Sequence, residues 1–256
     1  MPNKRILVIL PVNNPGHGDD VMQELASAVA PDFELVIRRL SEGTPFIESR
    51  HDEAVNAAPI IELAKTAERE GFSGVFVNCF GEPAVDVVRE LVTIPVVGGF
   101  RPAVLAAKLV AQTYSIVTIT RSVAPIIRGL AASFGIEPVS IRDIGMHVVE
   151  LHDKEQLVRK LLDQCMQAIA TDGAEAIVLG CTGMIGVSET IASALAAAGR
   201  PAPVINPARS AITFLQAQIR MEVSSSRLTY AKPMDMRELM FRLHHHGQHV
   251  EPQLQS

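Results

Sequence analysis

The chain has no tryptophan, two tyrosines and nine phenylalanines among its 256 residues. Few rings are therefore available on which nucleic-acid bases could stack. It also lacks a long basic run, and its formal net charge is −5. Since nucleic-acid affinity depends on a positive surface that neutralises phosphates, the composition predicts no nucleic-acid partner.

Long apolar runs are missing as well. No stretch reaches the roughly 18 apolar residues that indicate a transmembrane helix, and residues 6–10 are too short for the core of a signal peptide. The three cysteines have unrelated spacings and form no C-x-x-C pair, so a disulfide framework is not expected. We therefore predict a cytoplasmic protein with reduced thiols and no membrane partner.

A nucleotide-binding motif is also lacking. Residues 14–18 bear two glycines, but they form neither a G-x-G-x-x-G pattern nor a P-loop with its lysine. A turn accounts for this composition equally well. The alternative is that an asparagine here, Asn13 or Asn14, directs its amide at a polar group of the substrate.

What is present is an alternation of strand-like and helix-like segments, which predicts an α/β fold with mostly parallel sheets. Predicted strands span residues 5–10, 33–40, 74–78, 94–97, 114–120, 147–151, 176–179 and 203–205. Predicted helices span residues 19–30, 59–71, 83–91, 102–111, 123–134, 154–171, 188–198 and 207–220.

The second half of this pattern repeats the first at nearly constant offsets, as between Ile6 and Ile116. We predict two pseudo-symmetric lobes, each a mostly parallel four-stranded sheet flanked by helices, with the active site in the crevice between them. Residues 1–98 plus about 207–222 would form the first lobe, 99–206 the second, and 223–256 a C-terminal extension. The extension carries histidines at 244–246 and 249, which we interpret as solvated because no closed set of metal ligands accompanies them.

Two cysteines occupy matching places in this repeat. Cys79 follows the apolar run 75–77, and Cys181 follows the run 177–179. Loops after the carboxyl ends of parallel strands form the ligand crevice of open α/β sheets. One buried cysteine is usually a small core residue, which is our interpretation of Cys165 in the middle of an apolar helix stripe. The equivalent placement of the other two favours one acid/base on each face of a small substrate.

Neighbouring groups could support this chemistry. Exposed N–H groups and the positive ends of helices predicted from residues 83 and 188 would favour a thiolate, the reactive form of cysteine. The N–H groups of Phe80, Gly81, Thr182 and Gly183 could hold an oxygen that gains enolate character. Asn13, Thr118 and Thr120, in or beside crevice loops, complete the predicted substrate contacts. A nucleophilic thiol would need a histidine base, for which His17 is best placed.

Several segments resemble a known family. They are Cys79-Phe80-Gly81-Glu82-Pro83, Arg89-Glu90, Ile94–Gly98, Tyr114–Val123, Asp172–Cys181 and Gly183-Met184. From Ile6 to about Ile219 the chain is similar to the aspartate/glutamate racemase superfamily and, within it, to the hydantoin and allantoin racemases. The resemblance implies a cofactor-independent, metal-free racemase of a small carbonyl compound and a homo-oligomer, with Cys79 and Cys181 as the two acid/bases.

Three departures from the family pattern bear on the substrate, and one is Thr182 after Cys181, which is closer to the amino-acid racemase branch. The family's Asn-Pro-Asn-Thr-like loop is replaced by Leu10-Pro11-Val12-Asn13-Asn14, and Arg101 stands where an acidic residue is common. If Arg101 reaches the crevice, an anionic substrate becomes more plausible. An amino-acid racemase, a maleate isomerase or decarboxylase of the same superfamily, and a non-catalytic small-molecule binder are the alternatives.

Overall fold

The computed structural model describes residues 4–15, 18–234 and 239–240. In its first half strands and helices alternate as β1 (Lys4–Leu10), α1 (Asp19–Ala26), β2 (Phe33–Arg39), α2 (Arg50–Arg69), β3 (Gly74–Val77), α3 (Val85–Leu91), β4 (Val96–Val97) and α4 (Phe100–Val110). The second half continues as β5 (Tyr114–Thr118), α5 (Ala124–Phe134), β6 (Ser140–Asp143), a 3-10 helix (Val148–Glu150), α6 (Lys154–Asp172), β7 (Ala176–Leu179), α7 (Ser188–Ala197), β8 (Val204–Ile205) and α8 (Pro207–Arg220).

The strands form two sheets with the same topology. One has the order β2-β1-β3-β4 and the other β6-β5-β7-β8, and every paired neighbour is parallel. All residues of β3, β5 and β7 are buried, as expected of parallel strands covered by helices on both faces. The predicted pair of four-stranded parallel sheets flanked by helices is confirmed.

Helices α4 and α8 connect the halves. Helix α4 contacts β7 of the second sheet, and α8 contacts α1, α4 and β3. Asn206 caps α8 by accepting the Arg209 N–H, and Pro207 occupies the first turn, where its missing N–H costs nothing. The division of the chain into two lobes and an extension stays a prediction.

Three predicted helix starts were wrong, and one of them is that of α4, which begins at Phe100 and not at Pro102. Helix α2 begins at Arg50, where Ser49 accepts the Asp52 N–H, so Pro59 lies inside the helix and does not start it. The early turns were missed because most of their residues are polar or exposed, as their burial shows. Helix α3 begins at Val85 and not at Pro83, since Ala84 takes a left-handed conformation with φ of 57°.

The strand predicted at residues 147–151 was also wrong. The strand that completes the second sheet is β6, an edge strand whose four residues are half-buried. Val148–Glu150 instead form the 3-10 helix, and His147 donates its backbone N–H to Glu150 Oε2 at 2.7 Å. The valines that suggested a strand therefore lie in the connection from β6 to α6.

No helix in the described part of the chain combines the length and apolar character needed to cross a bilayer. Residues 234–243 of the extension have a sequence of helical character, but most of that segment lies outside the described residues. The predicted base His17 and the histidines of the tail lie outside them as well.

Candidate active site

Cys79 and Cys181 line one cavity of about 60 Å³. Each follows a fully buried strand by two residues, Cys79 after β3 and Cys181 after β7, and each is partly exposed. The cavity lining consists of Leu10, Pro11, Val12, Asn14, Pro45, Phe46, Ile47, Asn78, Cys79, Val148, Cys181, Thr182 and Gly183. The same position in two equivalent sheets thus places both thiols at one small space.

The backbone approaches the two thiols in the same way. The N–H of Gly81 is directed at the Cys79 sulfur, and the Gly183 N–H donates to Cys181 Sγ at 3.3 Å. A Cβ atom at Gly81 would lie 3.8 Å from the Cys79 sulfur, and one at Gly183 would lie 3.4 Å from the Cys181 sulfur. Glycine two residues after each cysteine therefore keeps the space beside the sulfur open.

Burial opposes ionisation of both thiols. Burial, together with the nearby Cys181, raises the pKa of Cys79 from 9.0 to about 12, and burial raises the pKa of Cys181 to about 11. Hydrogen bonds from Gly81 to Cys79, and from Gly183 and Met184 to Cys181, lower these values only in part. The expectation that helix ends stabilise a thiolate was wrong, because α3 and α7 begin six or seven residues away and desolvation dominates.

Residues 40–49, which join β2 to α2 and which we call the strap, cover this cavity. Pro45, Phe46 and Ile47 contribute apolar lining. Glu48 then reaches the second half, where Oε1 accepts the Val148 N–H at 2.6 Å and Oε2 lies 2.5 Å from His147 Nδ1. The Glu48 carboxylate raises the pKa of His147. The strap is therefore fastened to the connection that carries the 3-10 helix.

The two cysteine loops also touch each other. Thr182 donates its hydroxyl to the Asn78 carbonyl at 3.1 Å, and the Gly99 N–H donates to the Cys79 carbonyl at 3.0 Å. A Cβ atom at Gly99 would lie 3.1 Å from the Cys79 carbonyl oxygen and 3.2 Å from Thr182 Cγ2. Glycine at position 99 is what allows the start of α4 to meet both loops.

Other residues predicted to bind substrate are not part of the cavity lining. Thr118 is fully buried and donates to the Gly180 carbonyl at 3.0 Å, whereas Thr120 pairs with the Ser122 hydroxyl at 2.9 Å. Phe80 packs edge-on against Phe100 with ring centroids 5.5 Å apart. Thr182 and Gly183 are the predicted contacts, besides the cysteines, that belong to the lining.

Asn13 and Arg101 point to other partners. The Asn13 amide donates to the Ser41 carbonyl at 3.3 Å, and the neighbouring Asn14 lines the cavity instead. Arg101 holds Asp86 through two hydrogen bonds of 2.7 and 2.8 Å and pairs with Glu82. Burial raises the pKa of Glu82 to about 7. Arg101 is therefore paired with carboxylates outside the cavity lining, and it gives no reason to expect an anionic substrate.

Sequence reasoning missed Asn78 and the strap. A polar residue at the end of an otherwise apolar strand was the available signal for Asn78. Nothing local distinguishes the strap, because its contacts are about 100 residues distant in sequence, as between Glu48 and Val148.

Comparison with known proteins places this geometry in context. The family model described as Asp/Glu/Hydantoin racemase matches residues 14–215. A hydantoin racemase of Paenarthrobacter aurescens is 31% identical over 242 residues, covering 92% of this chain and 100% of that protein. Allantoin racemase from Klebsiella pneumoniae superposes with a TM-score of 0.84 at 28% identity, covering 91% of this chain and 95% of its own. Allantoin racemase from Pseudomonas fluorescens gives a TM-score of 0.84 at 27% identity, covering 90% and 97%.

Proposed function

The chain belongs to the Asp/Glu/Hydantoin racemase family, and on that premise we propose that it racemises a 5-substituted hydantoin or allantoin without a cofactor. Cys79 and Cys181 are the proposed acid/bases. The observation that carries the proposal is that both thiols, from equivalent places in two sheets, line the same cavity. Relatives named hydantoin racemase and allantoin racemase supply the substrate class.

The proposed reaction moves two protons. One cysteine, as thiolate, takes the proton from C5 of the hydantoin ring and becomes a thiol, while the C5 electron pair delocalises into the adjacent carbonyl. The other cysteine, as thiol, then gives its proton to the opposite face of C5 and becomes the thiolate. Backbone N–H groups beside the thiols, such as those of Gly81 and Gly183, would stabilise the negative charge that develops.

The raised thiol pKa values fit a mechanism in which one cysteine acts as a thiol acid and the other as a thiolate base. A thiol that holds its proton is the required acid, and a thiolate of high pKa is a strong base toward a carbon acid. The cost is that few molecules carry a thiolate at neutral pH. A partly desolvated base of this kind depends on close placement against C5, which the small cavity would supply.

Charge in the lining favours a neutral substrate. Among the described residues, the cavity is lined by apolar side chains, asparagines, cysteines, a threonine and a glycine, with no ionised carboxylate, lysine or arginine. A free amino acid or a dicarboxylate would bring charges into this space without a partner, which is costly. A hydantoin ring brings only amide groups. We therefore favour the hydantoin substrate over the amino-acid and maleate alternatives.

Polarimetry tests the proposal directly. Single enantiomers of 5-substituted hydantoins, allantoin, aspartate and glutamate are incubated with the protein in D₂O, and optical rotation and deuterium at the stereocentre are followed. We expect rotation to decay and one deuterium to enter the hydantoin. Loss of rotation for the amino acids alone would contradict the proposed substrate.

Cysteine variants test the proposed mechanism. Cys79→Ser and Cys181→Ser should each lower net racemisation by about 10²-fold or more, the usual contribution of a general acid or base. Each could still exchange the C5 proton of one enantiomer. Cys165→Ala is the matched control, because Cys165 is fully buried in the core and its loss should affect stability but not racemisation. Full activity in either single active-site variant would exclude the two-base mechanism.

A further inference from the structure

Asn78 is the residue between the end of β3 and Cys79, and it belongs to the lining of the cavity. It is 6% exposed. Its backbone is fully used, since the N–H donates to the Ile9 carbonyl at 2.9 Å and the carbonyl accepts the Thr182 hydroxyl. The side-chain oxygen Oδ1, in contrast, is buried and has no hydrogen-bond partner among the residues that the structure describes.

Two other buried asparagines, Asn56 and Asn206, have both the oxygen and the nitrogen of the side-chain amide paired. Asn56 Oδ1 accepts the Thr44 N–H at 2.8 Å, and its Nδ2 donates to the Pro11 carbonyl at 2.9 Å. Asn206 Oδ1 accepts the Arg209 N–H, and its Nδ2 donates to Glu24 at 2.8 Å. Both are structural residues. Asn78 differs from them in having an unpaired oxygen and in lying in the wall of the cavity.

An unpaired buried amide oxygen is unfavourable, because the group has lost its water without gaining a protein donor. Such a group persists where a ligand supplies the missing donor. A hydantoin ring carries N–H groups next to carbonyls, so it can pair with a side-chain amide through an N–H donated to Oδ1 and a carbonyl that accepts from Nδ2. A carboxylate has no hydrogen to donate to Oδ1.

We propose that the Asn78 amide accepts a hydrogen bond from a ring N–H of the substrate and thereby selects cyclic ureides and fixes C5 beside Cys79. This inference rests on the proposed function, because it concerns the substrate of the same site. Asn78 is a substrate-binding and specificity-determining residue, and the proton transfers remain with the cysteines.

The test measures binding separately from racemisation. 5,5-Dimethylhydantoin has no proton at C5, so its affinity can be measured by calorimetry without turnover. Its N1-methyl and N3-methyl derivatives each lack one of the two ring N–H donors. The wild-type protein should bind the parent ring at least roughly tenfold more tightly than the derivative that lacks the donor paired with Asn78. In Asn78→Leu that preference should disappear, and the melting temperature should be unchanged or higher because the unpaired oxygen is gone.

Matched variants separate recognition from structure. Gln218→Leu removes another amide whose buried oxygen is unpaired among the described residues but which lies outside the cavity lining, so it should keep the preference for the parent ring. Asn78→Asp retains an acceptor and should restore much of the preference. If Asn78→Leu is too unstable to measure, Asn78→Ala removes the same amide without adding a branched side chain.

The possible results distinguish this inference from the proposed function. Equal preference for the parent ring in the wild type and in the Asn78 variants overturns the role of Asn78, even if racemisation is normal. Failure of the wild type to bind the parent ring also overturns it. A preference that depends on Asn78, in a protein that racemises no hydantoin or allantoin, would support the inference and refute the racemase proposal.

Discussion

The loops that carry Cys79 and Cys181 have similar backbones and different electrostatic surroundings. In both, a glycine two residues later directs its N–H at the sulfur. Cys181 receives a second hydrogen bond from Met184, and Glu48 is the carboxylate that raises its pKa. Around Cys79 the other thiol, Glu53 and Glu82 all raise the pKa. The comparison teaches that topology makes the two positions equivalent, while more of the charges around Cys79 than around Cys181 raise the thiol pKa.

The largest expected effect comes from separating the two loops. In Gly99→Val, a Cβ atom about 3.1 Å from the Cys79 carbonyl and 3.2 Å from Thr182 Cγ2 would push the loops apart. Racemisation should fall by roughly 10²-fold, as expected for reacting groups displaced by up to an ångström. Gly129→Ala in α5 is the control, since its Cβ would meet only Arg50 Nη2 at 3.4 Å. Wild-type kcat/KM in Gly99→Val would mean that loop contact is unimportant.

A second prediction concerns the contact between the strap and His147. The strap residue in this contact is Glu48, the carboxylate that raises the pKa of Cys181. Glu48→Gln keeps the size of the side chain and loses its charge, so the pKa of His147 should fall toward the ordinary value of about 6.5. We expect KM to rise about tenfold, because the charge-assisted bond to His147 is lost. Histidine resonances in NMR titrations report the first change, and steady-state kinetics the second.

The pH dependence of the strap has a definite sign. Because the pKa of His147 is raised in the folded protein, its pairing with Glu48 stabilises the strap fully below about pH 6.5 and is lost as pH rises through the folded pKa. The wild-type KM should therefore increase across that window, and the KM of Glu48→Gln should not. His152→Ala is the control, since His152 is exposed and bonded only to the Val149 carbonyl. A KM of the wild type that is constant with pH would contradict the strap contact.

Chemical labelling measures the difference between the thiols. Below pH about 11 both are protonated, and a pKa of about 11 against about 12 gives Cys181 up to roughly tenfold more thiolate. Iodoacetamide should therefore modify Cys181 first and Cys165 last, as followed by mass spectrometry of peptides. For the same reason kcat/KM should rise as the pH is raised above neutral, for as long as the hydantoin ring keeps its N–H protons. Faster labelling of Cys79 than of Cys181 would contradict this order of the two thiol pKa values.

The smallest expected effect comes from a substitution that brings the pKa values of the two thiols closer together. The Glu53 carboxylate, whose Oε1 lies 3.0 Å from a Cβ built at Gly81, raises the pKa of Cys79 and is not among the causes acting on Cys181. Glu53→Gln should accelerate labelling of Cys79 by a few-fold and leave Cys181 unchanged. Glu62→Gln, on the exposed middle of α2, is the control. An equal change at both cysteines would indicate a general loosening of the site.

Much of the fold could be predicted because local signals agreed with burial. Asn206 and Pro207 begin α8, and Gly135 in the left-handed conformation ends α5, so both helices could be bounded closely. Strand β6 could not be found, since its sequence Ser-Ile-Arg-Asp has no clear alternation and it lies at a sheet edge. Pro59 was read as a helix start although tertiary packing tolerates it inside α2.

The candidate site was predictable where it depends on topology. Equivalent strand ends were enough to bring Cys79 and Cys181 to one cavity. The direction of side chains was not predictable: the choice between Asn13 and Asn14 depends on whether the chain turns toward Ser41 or toward the cavity. The effect of burial on the thiol pKa values was underestimated for a similar reason, because enclosure by the strap is a tertiary property.

The unequal surroundings of the two thiols have a consequence for the kinetics of mirror-image substrates. Two enantiomers have the same free energy, so a racemase cannot favour either one at equilibrium, whatever its cysteines' proton affinities. The Haldane relation then requires the same kcat/KM in both directions. The difference between Cys79 and Cys181 can therefore appear only as paired differences in kcat and in KM, with the enantiomer that turns over faster also being the one that saturates the protein less readily.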